Sequence, residues 1–209
     1  MKIGHIREII KDGAVKPEGE HEIFGVMVPL IETSEGCRVL LEIRASTLKK
    51  QPGEISLPGG RKEKGETPLE AAVRETSEEL TIPKTAVSVL GPLDYLVTPF
   101  NYIIYPFVGA IGQKYISDIK GAPGEVDCLF TVPLNYFLRT CPPIYRVRTE
   151  FKVPRGFPFE LIPGGEDYNW SSGIYPVYFY SYNGRIIWGI TARILKNLVD
   201  KLSGDVQGV

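Results

Sequence analysis

Apolar positions first cluster at residues 23–31 (IFGVMVPLI) and again at 38–43 (RVLLEI). The polar stretch ETSEG lies between them, so the two runs predict strands joined as a hairpin. Residues 44–65 show little periodicity and many Gly, Pro and charged positions, which predicts a shaped loop. From 67 to 80 the period becomes helical. Thr67-Pro68-Leu69-Glu70 supplies a capping box with proline at the first helical position, and Pro83 closes the segment. On a helical wheel Leu69, Ala72, Val73, Thr76 and Leu80 share one face, while Glu75, Glu78 and Glu79 share another.

Further strands are predicted at 87–97 and 102–111, around the turn TPFN, and at 126–132, followed by a short helix near 134–138. Residues 152–174 form a second Gly/Pro-rich stretch. The runs 175–180 and 185–188 flank SYNG, a hairpin signal. A last helix is predicted from about 191 to 202, with Ala192, Leu195, Leu198, Val199 and Leu202 on one side. No repeat and no linker interrupts the pattern. The chain is expected to form one mixed α/β domain over residues 1–209.

Composition narrows the class. A chain of 209 residues with 43% hydrophobic positions can bury a sizeable core, and 22 Gly with 17 Pro argue against a helical bundle. Lys plus Arg number 24 against 25 Asp plus Glu, so the basic excess of a nucleic-acid or membrane-surface binder is missing. The longest apolar run, Tyr102–Ile111, contains a proline and is too short to span a bilayer. Polar residues in MKIGHIREIIKDG break any signal-peptide core. Cys37, Cys128 and Cys141 are far apart and form no CxxC, which disfavours a zinc site or a disulfide framework. A cytoplasmic protein with reduced thiols is expected.

The stretch Leu57–Ile82, LPGGRKEKGETPLEAAVRETSEELTI, carries the chemistry. Glu75, Glu78 and Glu79 stand at i, i+3 and i+4, where like charges destabilise a helix. A solvated acidic face relieved by Arg74 is one reading. A site for a hard divalent cation, Mg2+ or Mn2+, is the other, because oxygen ligands around such an ion remove the repulsion. Gly59-Gly60 allows close backbone approach to a ligand. Arg44, Lys49, Lys50, Arg61, Lys62 and Lys64 surround the stretch with cations suited to a polyphosphate. Neither His5 nor His21 lies near it in sequence, and no Ser/His/Asp arrangement is apparent.

The spacing of Gly60, Glu66, Arg74-Glu75, Glu78-Glu79 and Ile82 resembles the Nudix hydrolase box, here residues 60–82, in which a glycine loop leads into a catalytic helix. Thr76 departs from the usual aliphatic residue. Thr81 stands where glycine usually closes the helix, which puts the helix-end geometry in question. Residues 40–60, LLEIRASTLKKQPGEISLPGG, are similar to the signature of the coenzyme A pyrophosphatase branch. Leu40, Leu41, Arg44, Leu48, Gly53, Pro58, Gly59 and Gly60 match it. Glu42, Ile43, Ala45, Lys49 and Gln51 replace the usual Thr, Lys, Ser, Arg and His.

The resemblance implies an α/β/α sandwich with a mixed sheet. It implies metal-dependent hydrolysis of a nucleoside-diphosphate-linked small molecule, CoA or acyl-CoA first, with ADP-ribose, dinucleotides or damaged nucleotides as alternatives. A non-catalytic Nudix-like binding module is a third reading. Glu75, Glu78 and Glu79, with the Gly59 carbonyl, are the implied metal ligands. Arg74 would orient them, Glu66 would hold the loop, and Glu125 would add a ligand or a base. Arg44, Lys49, Lys50, Gly59 and Gly60 would contact substrate. Neither nucleic acid nor membrane is an expected partner, and the oligomeric state, a homodimer included, stays open.

Overall fold

The computed structural model describes residues 1–13 and 16–204. Helix α1 (Ile3–Ile10) precedes the hairpin of β1 (Glu22–Thr33) and β2 (Gly36–Arg44). Short strands β3 (Ile55–Ser56) and β4 (Gly59–Arg61) lead into α2 (Pro68–Glu79). Then come β5 (Val87–Pro92), β6 (Leu96–Val97), β7 (Tyr102–Ile111), β8 (Val126–Pro133) and α3 (Leu134–Arg139). The chain continues through β9 (Ile144–Thr149), β10 (Gly173–Tyr182), β11 (Arg185–Trp188) and α4 (Gly189–Ser203).

The main sheet is mixed. β1 and β7 run parallel over nine paired residues, from Glu22↔Tyr102 to Leu30↔Ala110. All other pairings are antiparallel: β1 with β2 and β4, β2 with β3 and β8, and β7 with β5 and β6. β1 changes partner midway. Its first half, Phe24–Val26, pairs with β4, and its last residues pair with β2. Met27 N–H bridges the change by donating to the Pro58 carbonyl at 2.9 Å.

Alternation along the strands sends side chains to two layers. On one face Val28, Val39, Leu41, Ile104, Val108 and Val132 join Ala192, Leu195, Leu198 and Val199 of α4, with Tyr180 and Ile187 from the β10–β11 hairpin. On the other face Ile31, Leu40 and Ile111 pack with Leu80 and Ile82 at the end of α2. The sheet therefore lies between α2 and α4, as the predicted sandwich requires.

Several elements escape the sequence pattern. α1 buries no residue, although Ile3, Ile6 and Ile10 stand at helical spacing along it. β9 reads IYRVRT and is exposed at nearly every position, because it pairs with β10 and packs on little else. The predicted strand 87–97 divides into β5 and β6, with a register shift between Val89 and Gly91. Within the predicted loop 44–65, Gly59 and Gly60 form a strand rather than a turn. Their lack of side chains is what lets that strand slide between β1 and α2.

Candidate active site

α2 starts as its sequence dictates. Thr67 Oγ1 accepts from the Glu70 N–H at 3.2 Å, and the Glu70 carboxylate accepts from the Thr67 N–H at 2.7 Å. This reciprocal cap fixes the first turn. The helix lies very close to β1. A Cβ on Gly25 would sit 1.9 Å from the Pro68 carbonyl oxygen and 2.7 Å from the Ala72 nitrogen. Ala71, Ala72, Thr76 and Glu79 are the buried residues of the helix, whereas Leu69 and Val73 are only half-buried. Ala72, Thr76 and Leu80 of the expected core face are thus buried, and burial extends past that face to Ala71 and Glu79. Thr76 is fully buried, and its hydroxyl donates to the Ala72 carbonyl.

The three glutamates of α2 occupy three environments. Glu78 is exposed, Glu75 is half-buried, and Glu79 is 6% exposed. Glu79 Oε2 accepts from the Gly59 N–H at 2.9 Å, so the glycine strand contacts this carboxylate through its nitrogen. A Cβ on Gly60 would fall 2.2 Å from Glu75 Oε1, which accounts for glycine there.

Arg74 ties the cluster together, and each of its five N–H donors has a partner. Nε and Nη2 form a two-pronged grip on Glu66, at 2.9 and 3.1 Å. Nη1 reaches Glu75 at 2.8 Å and Glu78 at 3.1 Å. Nη2 also donates to the Arg61 carbonyl at 3.2 Å. Glu66 in turn accepts from the Glu63 N–H at 2.8 Å, closing the loop onto the helix. The Arg74 guanidinium, helped by that backbone N–H, holds the Glu66 carboxyl down at about 2.

One further carboxylate was not singled out from the sequence. Glu42 on β2 is 1% exposed. It stands two residues after Leu40, and alternation places both on the α2 side of the sheet. Its Oε1 accepts from the Ser56 hydroxyl at 2.8 Å, while Oε2 is buried with no partner among the described residues. Burial, and then the charge of Glu42, push the Glu79 carboxyl up to about 9. Burial raises Glu42 itself, with Glu125 and Glu75 adding to the effect and Ser56 and Arg44 opposing it. Burial likewise raises Glu75 despite Arg74, and Glu78 and Glu125 contribute. Its sequence signs are a charge at the centre of an apolar strand and a glutamate in place of the usual Thr of the branch signature.

The structure therefore brings Glu66, Arg74, Glu75 and Glu78 into one network along α2, with Glu79 against Gly59, Gly60 against Glu75, and Glu42, Arg44 and Glu125 close enough for their charges to act on this cluster. Glu125 is exposed immediately before β8. Lys49 and Lys50 lie on the exposed loop after β2. Among the described residues, no group of three or more acidic, His or Cys side chains closes around a single point. Arg74 draws Glu78 and one Glu75 oxygen aside, so the expected convergence of the three helix glutamates is incomplete. The donor set nevertheless suits a hard cation. It is oxygen-only and partly dry, it carries mutual repulsion, and it holds one buried carboxylate oxygen without a partner.

Thr81 resolves the question of the helix end. It takes the left-handed conformation itself, at φ 55°, and its hydroxyl donates to the Lys120 carbonyl. On the far side of the sheet a cavity of about 510 Å3 is lined by Ile43, Ile55, Phe179, Arg185 and Trp188, among others. The Gly/Pro-rich stretch 152–174 contributes nothing to its lining.

Comparison with known proteins found the following. The NUDIX domain family matches residues 22–140. The uncharacterized Nudix hydrolase NudL of Yersinia enterocolitica is 30% identical over 179 residues, 85% of this chain and 80% of its own length. Nudix hydrolase 3 of Caenorhabditis elegans is 26% identical over 208 residues, 92% of this chain and 78% of its own length. The crystal structure of a C. elegans Ap4A hydrolase aligns with 54% of this chain and 80% of its own, at 18% identity and a TM-score of 0.46. With the family match spanning more than half of the sequence and the capped glutamate helix standing against the glycine strand, the chain belongs to the Nudix family of hydrolases.

Proposed function

We propose that the protein cleaves the diphosphate bond of coenzyme A or acyl-CoA with water, giving 3′,5′-ADP and (acyl-)4′-phosphopantetheine, with Mg2+ or Mn2+ as cofactor. The observation that carries this reading is the joining of two segments. The loop that resembles the CoA signature ends in Gly59-Gly60, and that strand is bonded directly to Glu79 of the box helix.

Glu75, Glu78 and Glu79 are the residues that would hold the cation, with the Gly59 carbonyl alongside. When bound, the cation would neutralise the diphosphate oxygens and lower the pKa of a nearby water. Arg74 positions Glu66, Glu75 and Glu78 by four of the five bonds described above. Glu66 anchors the approach to the helix. Glu125, at the mouth of the cluster, is suited to accept the proton from the attacking water. Arg44, beside Glu42 and Glu79, and the exposed Lys49 and Lys50 supply positive charge for phosphate groups. Lys49 offers a point charge without the two-pronged fit of arginine, so discrimination between CoA and 3′-dephospho-CoA should be modest. The free thiols Cys37, Cys128 and Cys141 accord with work in the cytoplasm.

The test is product analysis with Mg2+ and with Mn2+ on CoA, 3′-dephospho-CoA, ADP-ribose, NADH and diadenosine polyphosphates. Release of 3′,5′-ADP from CoA, with kcat/KM falling for Lys49→Ala, is the expected result. Turnover of ADP-ribose with CoA untouched would refute the substrate while leaving the chemistry. No turnover of any compound would favour a binding module.

A further inference from the structure

The Arg74 network leaves two carboxylates unserved. Glu66, Glu75 and Glu78 each receive a guanidinium N–H, but Glu42 and Glu79 receive none. Both are buried, at 1% and 6% exposure. Glu79 has a backbone N–H from Gly59, and Glu42 has the Ser56 hydroxyl. One oxygen of Glu42 is left in the interior with no partner among the described residues. Arg44 is near enough for its charge to act on both carboxylates. It forms no ion pair with either among the described residues, and its own Nε is also buried without a partner.

A buried carboxylate oxygen without a partner costs folding free energy, and an adjacent carboxylate increases the cost. Such an arrangement calls for a cation or a shared proton between the two groups. We propose that Glu42 is an additional ligand of the divalent cation, gripping it from the sheet while Glu79 grips it from the helix. This rests on the metal-dependent reading above and extends it, because the ligand set no longer comes from the box helix and its glycine strand alone. The placement is dictated by the fold. Glu42 pairs with Ser56 on β3 and with Leu129 on β8, so its backbone is held on both sides. Its side chain projects to the same face as Leu40, which packs against the end of α2. A ligand on a central strand is positioned more rigidly than one on a loop. Glu42 thereby gives the ion a fixed point, while Glu75 and Glu78 can exchange between Arg74 and the metal.

The competing arrangement is a proton shared by Glu42 and Glu79, in which Glu42 has no part in metal binding. The two separate by direct binding of Mn2+, measured by calorimetry and by the loss of free-ion EPR signal at pH 7.5. Wild type, Glu42→Gln, Glu42→Asp and Glu79→Gln are compared, with folding checked by circular dichroism. Glu42→Gln keeps the shape and the Ser56 bond but removes the charge. Glu42→Asp keeps the charge and withdraws it by one methylene. The expected result is a Kd for Mn2+ weakened at least about 10-fold by Glu42→Gln, comparable to the effect of Glu79→Gln, with an intermediate value for Glu42→Asp. Metal-free Glu42→Gln should melt at or above the wild-type temperature, with a smaller upward shift on adding Mn2+. Mn2+ affinity unchanged within twofold in both Glu42 variants, while Glu79→Gln weakens it, would overturn the proposal and leave the metal-dependent reading standing. Failure of the wild type to bind Mn2+ would overturn both. If Glu42→Gln fails to fold without metal, Glu42→Asp alone decides.

Discussion

Replacing Arg74 with lysine tests whether the guanidinium network is structural machinery or a solvated charge cluster. Arg74 uses all five N–H donors on four partners, two of them in a fork on Glu66. The side chains of Arg74, Glu66 and Glu75 are 15%, 14% and 20% exposed, so water replaces lost bonds only in part. A lysine ammonium has three donors and no fork, so at least two charge-assisted bonds disappear. At about 1.5–3 kcal/mol each, offset by the retained charge and some hydration, the expected loss is about 2–4 kcal/mol. Urea unfolding at pH 7 in EDTA reads this as a lowered midpoint with an unchanged slope. A pH series adds a second readout. The Glu66 carboxyl is lowered in the folded protein, to about 2 from 4.5. Its contribution is therefore complete above about pH 4.5 and is lost as the pH falls toward 2. The gap between wild type and Arg74→Lys should narrow across that window. A difference under about 0.5 kcal/mol at pH 7, or one that does not change with acid, would show that the network is the weak surface arrangement.

Other outcomes follow from the same geometry. Glu79→Gln should lower kcat by on the order of 100-fold or more while leaving metal-free stability equal or higher, because an amide oxygen can still accept from Gly59 and the repulsion with Glu42 is gone. Steady-state rates and urea melts of the same preparation check both halves. Metal-free wild type should lose stability as pH rises from about 4.5 toward 9. The raised Glu79 carboxyl keeps its proton in the folded state over that range, whereas the unfolded chain releases it. The slope from this group is at most about 1.4 kcal/mol per pH unit, and saturating Mg2+ should flatten it. A slope that ignores Mg2+ would count against the cation site. Gly25→Ala should destabilise by about 3 kcal/mol or more, since its Cβ meets helix backbone that cannot rotate away, and thermal unfolding would report it. A stability close to wild type would mean that α2 can stand off from β1 freely.

Much of this arrangement is written locally. The capping box, the hairpin of β1 and β2, the SYNG turn and the apolar face of α4 are short-range patterns, and each lies where the pattern puts it. What escaped has physical causes. α1 carries Ile3, Ile6 and Ile10 at helical spacing, but all of them are exposed, and β9 is exposed at nearly every position, so neither pattern marks a core-facing element. Gly59 and Gly60 are legible as permissive residues, but their pairing with β1 depends on contacts across many intervening residues. The burial of Glu79 is not legible either, because a wheel shows which side chains share a face, not what covers that face. Gly25, far away in sequence, allows α2 to lie this close to β1, since a Cβ there would meet the helix backbone.

The same long-range logic explains how α2 ends without its usual glycine. Its last carbonyls are taken up by residues far along the chain. The Lys120 N–H donates to the Leu80 carbonyl at 3.1 Å, and the Ala122 N–H to the Glu79 carbonyl at 2.9 Å. The Thr81 hydroxyl closes the exchange by donating to the Lys120 carbonyl. A β-branched residue in the left-handed region is strained, and these bonds offset the strain. The segment that caps the helix continues directly into Glu125 and β8. The Glu125 N–H and the Val126 N–H both donate back to the Ala122 carbonyl, at 3.2 and 3.0 Å. One short stretch thus terminates the glutamate helix and sets a further carboxylate beside it. Glycine at position 81 would relieve the strain but would remove the side-chain link to Lys120. That link adds to the two backbone bonds that tie the segment leading to Glu125 to the end of α2.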